Sequence, residues 1–98
     1  MNTLHLVRKS AFTHNDFAQC LSMFAQDDAI VFMDDGCYNL NHTLIKSLLE
    51  RMGKNINLNV ISSHAQARAI DNHLNVKCIA MSDLVDLTFT HKQVITWQ

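Results

Sequence analysis

The sequence contains no proline and only two glycines among its 98 residues. Glycine and proline build tight turns, and glycine tolerates positive φ, so we expect few loops of this kind. The glycine-rich loop that holds phosphates in nucleotide-binding α/β proteins is also absent. These absences argue against a nucleotide-binding protein.

Charge and long apolar runs are also scarce. Charged residues make up 17% of the chain, its basic residues are scattered, and its formal net charge is -1. Because phosphate contacts supply most of the affinity for nucleic acids, we do not expect this chain alone to bind tRNA or DNA. No apolar run approaches the ~20 residues that cross a bilayer, and the amino terminus lacks a signal core. We therefore expect a cytoplasmic protein without membrane contact, part of whose surface is hidden in partners.

The cysteines and histidines do not form a recognisable motif. The three cysteines are an odd set without CxxC spacing, which favours reduced thiols over disulfides or a zinc site. No two of the six histidines have the i, i+4 spacing of a zinc protease helix. The sequence therefore predicts neither a metal site nor another cofactor.

Apolar periodicity predicts five strands that alternate with four helices. The predicted strands are 3–7, 29–33, 57–61, 76–80 and 93–97. The predicted helices are 15–26, 43–52, 65–73 with Leu74 directed inward, and a last helix capped by Ser82 and Asp83. This alternation indicates one α/β domain over residues 1–98: a three-layer, doubly wound, flavodoxin-like fold with a five-stranded, mainly parallel sheet and 3–7 as a central strand.

One stretch changes from apolar to polar without transition. The strand ending at Met33 is followed directly by Asp34, Asp35, Gly36, Cys37 and Tyr38. Sites in α/β folds form at the carboxyl ends of strands, so the two aspartates are candidates for acid–base chemistry or magnesium binding. The alternative is a turn that caps the next helix. We expect Cys37 to be exposed there, with the aspartates disfavouring its thiolate.

The order and spacing of four segments resemble the DsrH/TusB family of sulfur-relay subunits. These segments are Leu4 to Ser10, Asp35 to Tyr38, Ala67 with Arg68, and the tail from Asp83 to Trp97. The resemblance covers essentially the whole chain. It implies the smallest of three homologous subunits in a heterohexamer, with DsrE/TusD-like and DsrF/TusC-like partners, that passes sulfur as a cysteine persulfide.

The resemblance implies two pathways. The Tus branch serves 2-thiolation of the wobble uridine in tRNA and the Dsr branch serves sulfur oxidation; we prefer the first, which is more widespread. The principal sulfur-accepting cysteine of such complexes belongs to the DsrE/TusD-like partner. Cys20 occupies the position of a cysteine found in some DsrH/TusB members, which makes it a candidate persulfide carrier. Its place on the apolar face of the first helix instead favours a small core residue, and Cys78 is predicted to be buried in a strand.

Trp97 is a candidate interface anchor, because aromatic residues are common at interface hot spots, or a residue that closes the core. The other interface candidates are Asp35, Gly36, Cys37 and Tyr38. Two function classes remain open at this point. One is a subunit of a sulfur-transfer complex, structural or relaying through Cys20, which can self-associate when isolated. The other is a separate α/β binding module or small enzyme with a site around Asp35.

Overall fold

The computed structural model describes residues 2–53, 56–71 and 76–97. In these residues five strands alternate with helices. The strands are β1 (Thr3–Val7), β2 (Ala29–Phe32), β3 (Asn57–Ile61), β4 (Lys77–Ile79) and β5 (Gln93–Trp97). The helices are α1 (Asp16–Met23), a 3₁₀ helix (Asp34–Asn41), α2 (Thr43–Met52), α3 (Ser62–Ala67) and α4 (Met81–Thr90).

The strands form one parallel sheet in the order β4-β3-β2-β1-β5. The predicted α/β fold is confirmed, and β1 is an interior strand as predicted. Right-handed crossovers place α1, α2 and α3 on one face while the chain moves from β1 to β4. The chain then returns past β1 to β5, which places α4 on the opposite face. We call these the first face and the second face.

The two faces carry cores of different size. On the first face, side chains from α1, α2 and α3 pack against the sheet, and the rings of Phe17 and Phe32 meet edge to face at 5.3 Å between centroids. On the second face, Leu84 of α4 packs against a smaller group of strand residues. Among the described elements, α4 alone covers this face.

The observed helix ends agree only in part with the ends predicted from local sequence. Helix α2 ends at Met52 as predicted, and Gly53 follows it with φ of 83°. Helix α1 ends at Met23, three residues before the predicted Gln26. Helix α4 begins at Met81, and the Asp83 carboxylate caps it by accepting the N–H of Ala80 at 3.0 Å. Helix α3 ends at Ala67, and the predicted helix end His73 and inward residue Leu74 lie outside the described residues.

The segment after β2 was predicted as a turn, with a helical pattern after Gly36 that is clear only from Asn41 or Thr43, whereas the structure has a 3₁₀ helix from Asp34 to Asn41. Its glycine, Gly36, lies so close to β1 that a Cβ atom there would be 2.0 Å from the carbonyl oxygen of Val7. The N–H of Gly36 donates to the carbonyl of Arg8 at 3.1 Å, which joins the start of the 3₁₀ helix to the end of β1. The next turn directs Cys37 and Leu40 into the core. The exposure expected for Cys37 is therefore wrong, because the 3₁₀ helix directs its side chain into the core.

The burial expected for Cys78 is also wrong, because its side chain is exposed. Cys78 pairs with Val60 in the sheet, so its side chain lies on the first face. Strand β4 is at the edge of the sheet, where a strand has a neighbour on one side only. Strand position alone therefore does not determine burial here.

Candidate functional site

Charged side chains from three neighbouring parts of the fold meet at the carboxyl end of the sheet. Arg8 and Lys9 follow β1, Asp34 and Asp35 follow β2, and Arg68 follows α3. Together they line a cavity of about 230 Å³, which we call the charged cleft. Carboxyl ends of parallel strands are the usual position of sites in α/β folds.

The two aspartates of the charged cleft pair with different arginines. The Nε of Arg8 donates to Asp34 Oδ2 at 2.9 Å, and the Nε of Arg68 donates to Asp35 Oδ1 at 3.1 Å. Asp35 is 63% exposed, so its ion pair is open to water. Exposed pairs of this kind stabilise a protein by about 1 kcal/mol or less. The aspartates therefore do not form the paired carboxylates that acid–base chemistry would require.

The backbone of the charged cleft is strained at Asp34. This residue has φ of 50°, which a residue with a Cβ atom rarely adopts. Its N–H donates to Nδ1 of His64 at 3.0 Å, which holds the conformation. Because Nδ1 accepts this bond, a neutral His64 ring carries its proton on Nε2. Such strain is concentrated at functional sites.

Only part of the predicted surface at residues 35–38 is exposed. Asp35 and Tyr38 face solvent, whereas Gly36 and Cys37 are buried. Burial raises the pKa of the Cys37 thiol to about 11, although the charge of Arg68 lowers it. The charges of Asp34 and Asp35 also contribute to this raised pKa. The Cys37 thiol is therefore protonated at neutral pH and is shielded from a partner.

Cys20 lies on the buried side of α1. Burial raises the pKa of its thiol to about 12, and the negative charge of Asp28 acts in the same direction. A persulfide carrier needs a thiolate that a donor can reach. Sulfur transfer to Cys20 therefore stays a prediction that requires α1 to move away from the sheet.

Trp97 takes part in a buried polar network that joins both ends of the chain. Its indole Nε1–H donates to Nδ1 of His5 at 3.1 Å, and Nε2 of His5 lies 2.9 Å from Asp28 Oδ2. His5 and Asp28 are 1% and 4% exposed. Because an indole N–H can only donate, Nδ1 of His5 accepts, and the proton on Nε2 is directed at Asp28. Trp97 is thus fixed to the core while its ring stays partly exposed.

Sequence reasoning missed this network. Its members are separated by 23 and 92 positions, and none belongs to a shared motif. Asp28 also accepts the backbone N–H groups of Thr3 and Ala25. Burial would raise the pKa of Asp28, but these hydrogen bonds and the one with His5 outweigh it and lower the pKa below its usual value. Asp28 is thus a buried acceptor that no sequence pattern singled out.

Comparison with protein families identifies the chain. The family model described as DsrH like protein matches residues 9–94. The chain belongs to the DsrH family. The DsrH family supplies subunits of sulfur relays that work with other Dsr or Tus subunits. A comparison with curated proteins gives no match.

The fold of this DsrH family member also resembles a solved structure, the solution NMR structure of protein Tm0979 from Thermotoga maritima. The two chains superpose with a TM-score of 0.60 and are 18% identical. The match covers 89% of this chain and 92% of the other. This likeness supports the α/β fold.

Within residues 2–53, 56–71 and 76–97, no group of three or more His, Cys, Asp or Glu side chains is placed so that it could hold a metal ion. In the same residues, none of the helices has the length and apolar character needed to cross a membrane.

Proposed function

We propose that the chain is the DsrH/TusB-type subunit of a cytoplasmic, heterohexameric sulfur relay that serves 2-thiolation of the wobble uridine in tRNA. The observation that carries this proposal is the DsrH family match over residues 9–94. The near-neutral charge of the chain fits a subunit whose partners contact the tRNA. A DsrH-type subunit of a sulfur-oxidation relay is the alternative.

The second face supports an assembled subunit. Met81, Val85 and Phe89 recur every fourth residue along α4 and form an exposed stripe, in which Phe89 is 84% exposed. Val94 of β5 is another exposed apolar residue of this face. We call these four residues the apolar stripe. Contiguous exposed apolar surface marks protein–protein contacts, so we expect a homologous DsrE/TusD-like or DsrF/TusC-like subunit to cover it.

The buried cysteines fit a subunit that is not the principal sulfur acceptor of the complex. Both buried thiols have raised pKa values, which suits a subunit that leaves the principal sulfur transfer to a DsrE/TusD-like partner. Cys20 is our candidate for a secondary acceptor. In that step the Cys20 thiolate attacks the outer sulfur of a donor persulfide, a new S–S bond forms, and the donor cysteine leaves as a thiolate.

Co-expression tests the subunit proposal. We expect this chain to co-elute with its two homologous partners in size-exclusion chromatography, with equal amounts of the three chains. A stable monomer that ignores both partners would contradict the proposal. Deletion of the gene should remove 2-thiouridine from tRNA; unchanged tRNA together with defective sulfur oxidation would instead support the alternative pathway.

Intact-mass measurement tests the role of Cys20. Because the exposed Cys78 can itself accept sulfur, the experiment starts from Cys78→Ser. After incubation with a persulfidated donor protein, we expect this variant to gain the mass of one sulfur atom. The additional change Cys20→Ser should abolish the gain, whereas Cys37→Ser, at the other buried cysteine, should preserve it. Equal gains in all variants, or none, would exclude Cys20 as the carrier.

A further inference from the structure

We propose that the charged cleft binds a small oxyanion, for which Arg8 and Arg68 release Asp34 and Asp35. The sulfur-relay role neither requires nor supplies this site. The aspartates act as internal counter-ions that occupy the arginines until an anion replaces them.

The charge of the cleft favours an anion. Three cationic side chains, Arg8, Lys9 and Arg68, line it together with two carboxylates, so its formal charge is +1. The ion pairs among the described residues use both arginines, but none includes Lys9. A cavity of about 230 Å³ has room for an ion of a few atoms beside these groups. An entering oxyanion therefore meets one ammonium group and two guanidinium groups.

The arginines are suited to this exchange. The planar guanidinium donates in a fork that matches the oxygens of carboxylate or phosphate. Arg68 is held in position because its Nη1 donates to the carbonyl of His64 at 3.2 Å. Its present partner, Asp35, is largely exposed and regains water when it is released. The exchange thus replaces one exposed ion pair with another and leaves Arg68 anchored.

The backbone fixes the cleft at the point where sites form in this type of fold. Asp34 keeps a positive φ through its bond to His64, and Gly36 holds the following 3₁₀ helix against the end of β1. These contacts hold the two aspartates, which follow β2, beside the end of β1 without burying them. Strain of this kind persists only where the surrounding structure enforces it.

NMR titration of ¹⁵N-labelled protein tests the proposal. Inorganic phosphate, sulfate and acetate are added separately, with chloride adjusted to keep ionic strength constant. We expect saturable shifts of the backbone amides of Arg8, Lys9, Asp34, Asp35 and Arg68. Saturation by phosphate and sulfate alone assigns the site to tetrahedral oxyanions, and saturation by acetate alone assigns it to carboxylates. The absence of saturable shifts with all three anions would overturn the proposal.

Three variants test both the direction and the size of the expected change in anion affinity. Arg68→Gln should weaken binding about tenfold or more, because it removes charge-assisted hydrogen bonds. Asp35→Asn should strengthen binding about two- to fivefold, because it removes the competing carboxylate. Arg51→Gln is the matched control, since Arg51 donates to the carbonyl of Leu21 and does not line the cleft. Weaker binding in Asp35→Asn, or an equal loss in Arg51→Gln and Arg68→Gln, would contradict the mechanism.

Discussion

At the scale of single residues, the most constrained group is the carboxylate of Asp28. It accepts hydrogen bonds from the His5 side chain and from two backbone N–H groups, and it is almost completely buried. A buried polar atom that loses its partner costs more free energy than the hydrogen bond contributed. The network should therefore be sensitive to the loss of any member.

Asp28→Asn should lower the free energy of unfolding by about 3 kcal/mol at pH 7, because it breaks a buried charged network. Hydrogen bonds hold the pKa of Asp28 below its usual 3.8 despite burial. The stabilisation from the ionised carboxylate is therefore present above pH 3.8 and is lost as the pH falls through the pKa of the folded state. Urea unfolding at pH 7 and at pH 3 should show the gap between wild type and variant shrinking in acid.

The neighbouring Asp27 provides the control for this experiment, because it is exposed. Asp27→Asn should change the free energy of unfolding by about 0.5 kcal/mol or less at either pH. A constant gap between wild type and Asp28→Asn at both pH values would show that the carboxylate charge is not the source of the stabilisation.

The three thiols should differ sharply in reactivity. Cys78 is exposed and Cys20 and Cys37 are buried, so a soluble disulfide reagent should modify one thiol in the native protein and three in denaturant. Cys78→Ser should remove the fast native reaction. Fast labelling that persists in this variant would mean that α1 or the 3₁₀ helix opens readily, which would also make Cys20 or Cys37 accessible to sulfur donors.

At the scale of the elements, the end of α3 shows a local conflict between sequence and conformation. The N–H of Ile70 donates to the carbonyl of Ala65, and the N–H of Ala69 donates to that of Gln66. This is the Schellman motif, which normally has glycine at the left-handed position. Here the position is held by Ala69, with φ of 52°. Ala69 therefore adopts a left-handed conformation that is unfavourable for a residue with a Cβ atom.

Ala69→Gly should raise the free energy of unfolding by about 0.5–1 kcal/mol, because it relieves the left-handed alanine, partly offset by a more flexible unfolded chain. Ala67→Gly is the matched control. It places the same change in the last helical residue of α3 and should lower stability by up to about 1 kcal/mol. Thermal or urea unfolding distinguishes the two; destabilisation by both changes would mean that Ala69 is not strained.

The elements differ in how well the sequence predicts them. Strands β1, β3 and β5 match their predicted bounds, because short runs of β-branched and other apolar residues broken by single polar ones favour strands over helices. The start of the 3₁₀ helix at Asp34 was not predicted, because Asp34–Asn41 has no clear 3.6-residue periodicity and its inward turn depends on the contact between Gly36 and β1. The exposure of Cys78 likewise depends on the position of β4 at the edge of the sheet, which the sequence of the strand does not reveal.

At the scale of the whole molecule, the sheet is covered unequally. The first face carries α1, α2, α3 and the 3₁₀ helix, and among the described elements the second carries α4 alone, with the apolar stripe exposed. The sequence predicted helices on both sides but not their distribution, which follows from the strand order. The charged cleft could not be predicted either, because Arg8, Asp34 and Arg68 come together only through that order. Only the turn at Asp35, which lies next to Asp34 in the sequence, indicated that charged residues gather at this end of the sheet.

Phe89→Ser should weaken both self-association of the isolated protein and its assembly with homologous subunits, because it removes the most exposed part of the apolar stripe. Phe12→Ser is the matched control, since Phe12 is also exposed but packs edge-on against His42, which caps α2 on the other side of the molecule. Sedimentation velocity and pull-down of co-expressed partners give the readouts. Equal effects of the two changes would rule out the stripe as the contact surface.

The position of Trp97 gives the protein an internal optical reporter. It is the only tryptophan, and its ring stacks on His5 with 6.2 Å between centroids and an angle of 21° between the planes. Strand β5 is joined to the rest of the sheet through β1 alone. Any event that peels this last strand from the sheet moves the indole into water and shifts its emission to longer wavelength. Unlabelled protein is therefore enough to observe in real time whether partner binding, acid or an anion loosens the carboxyl-terminal strand.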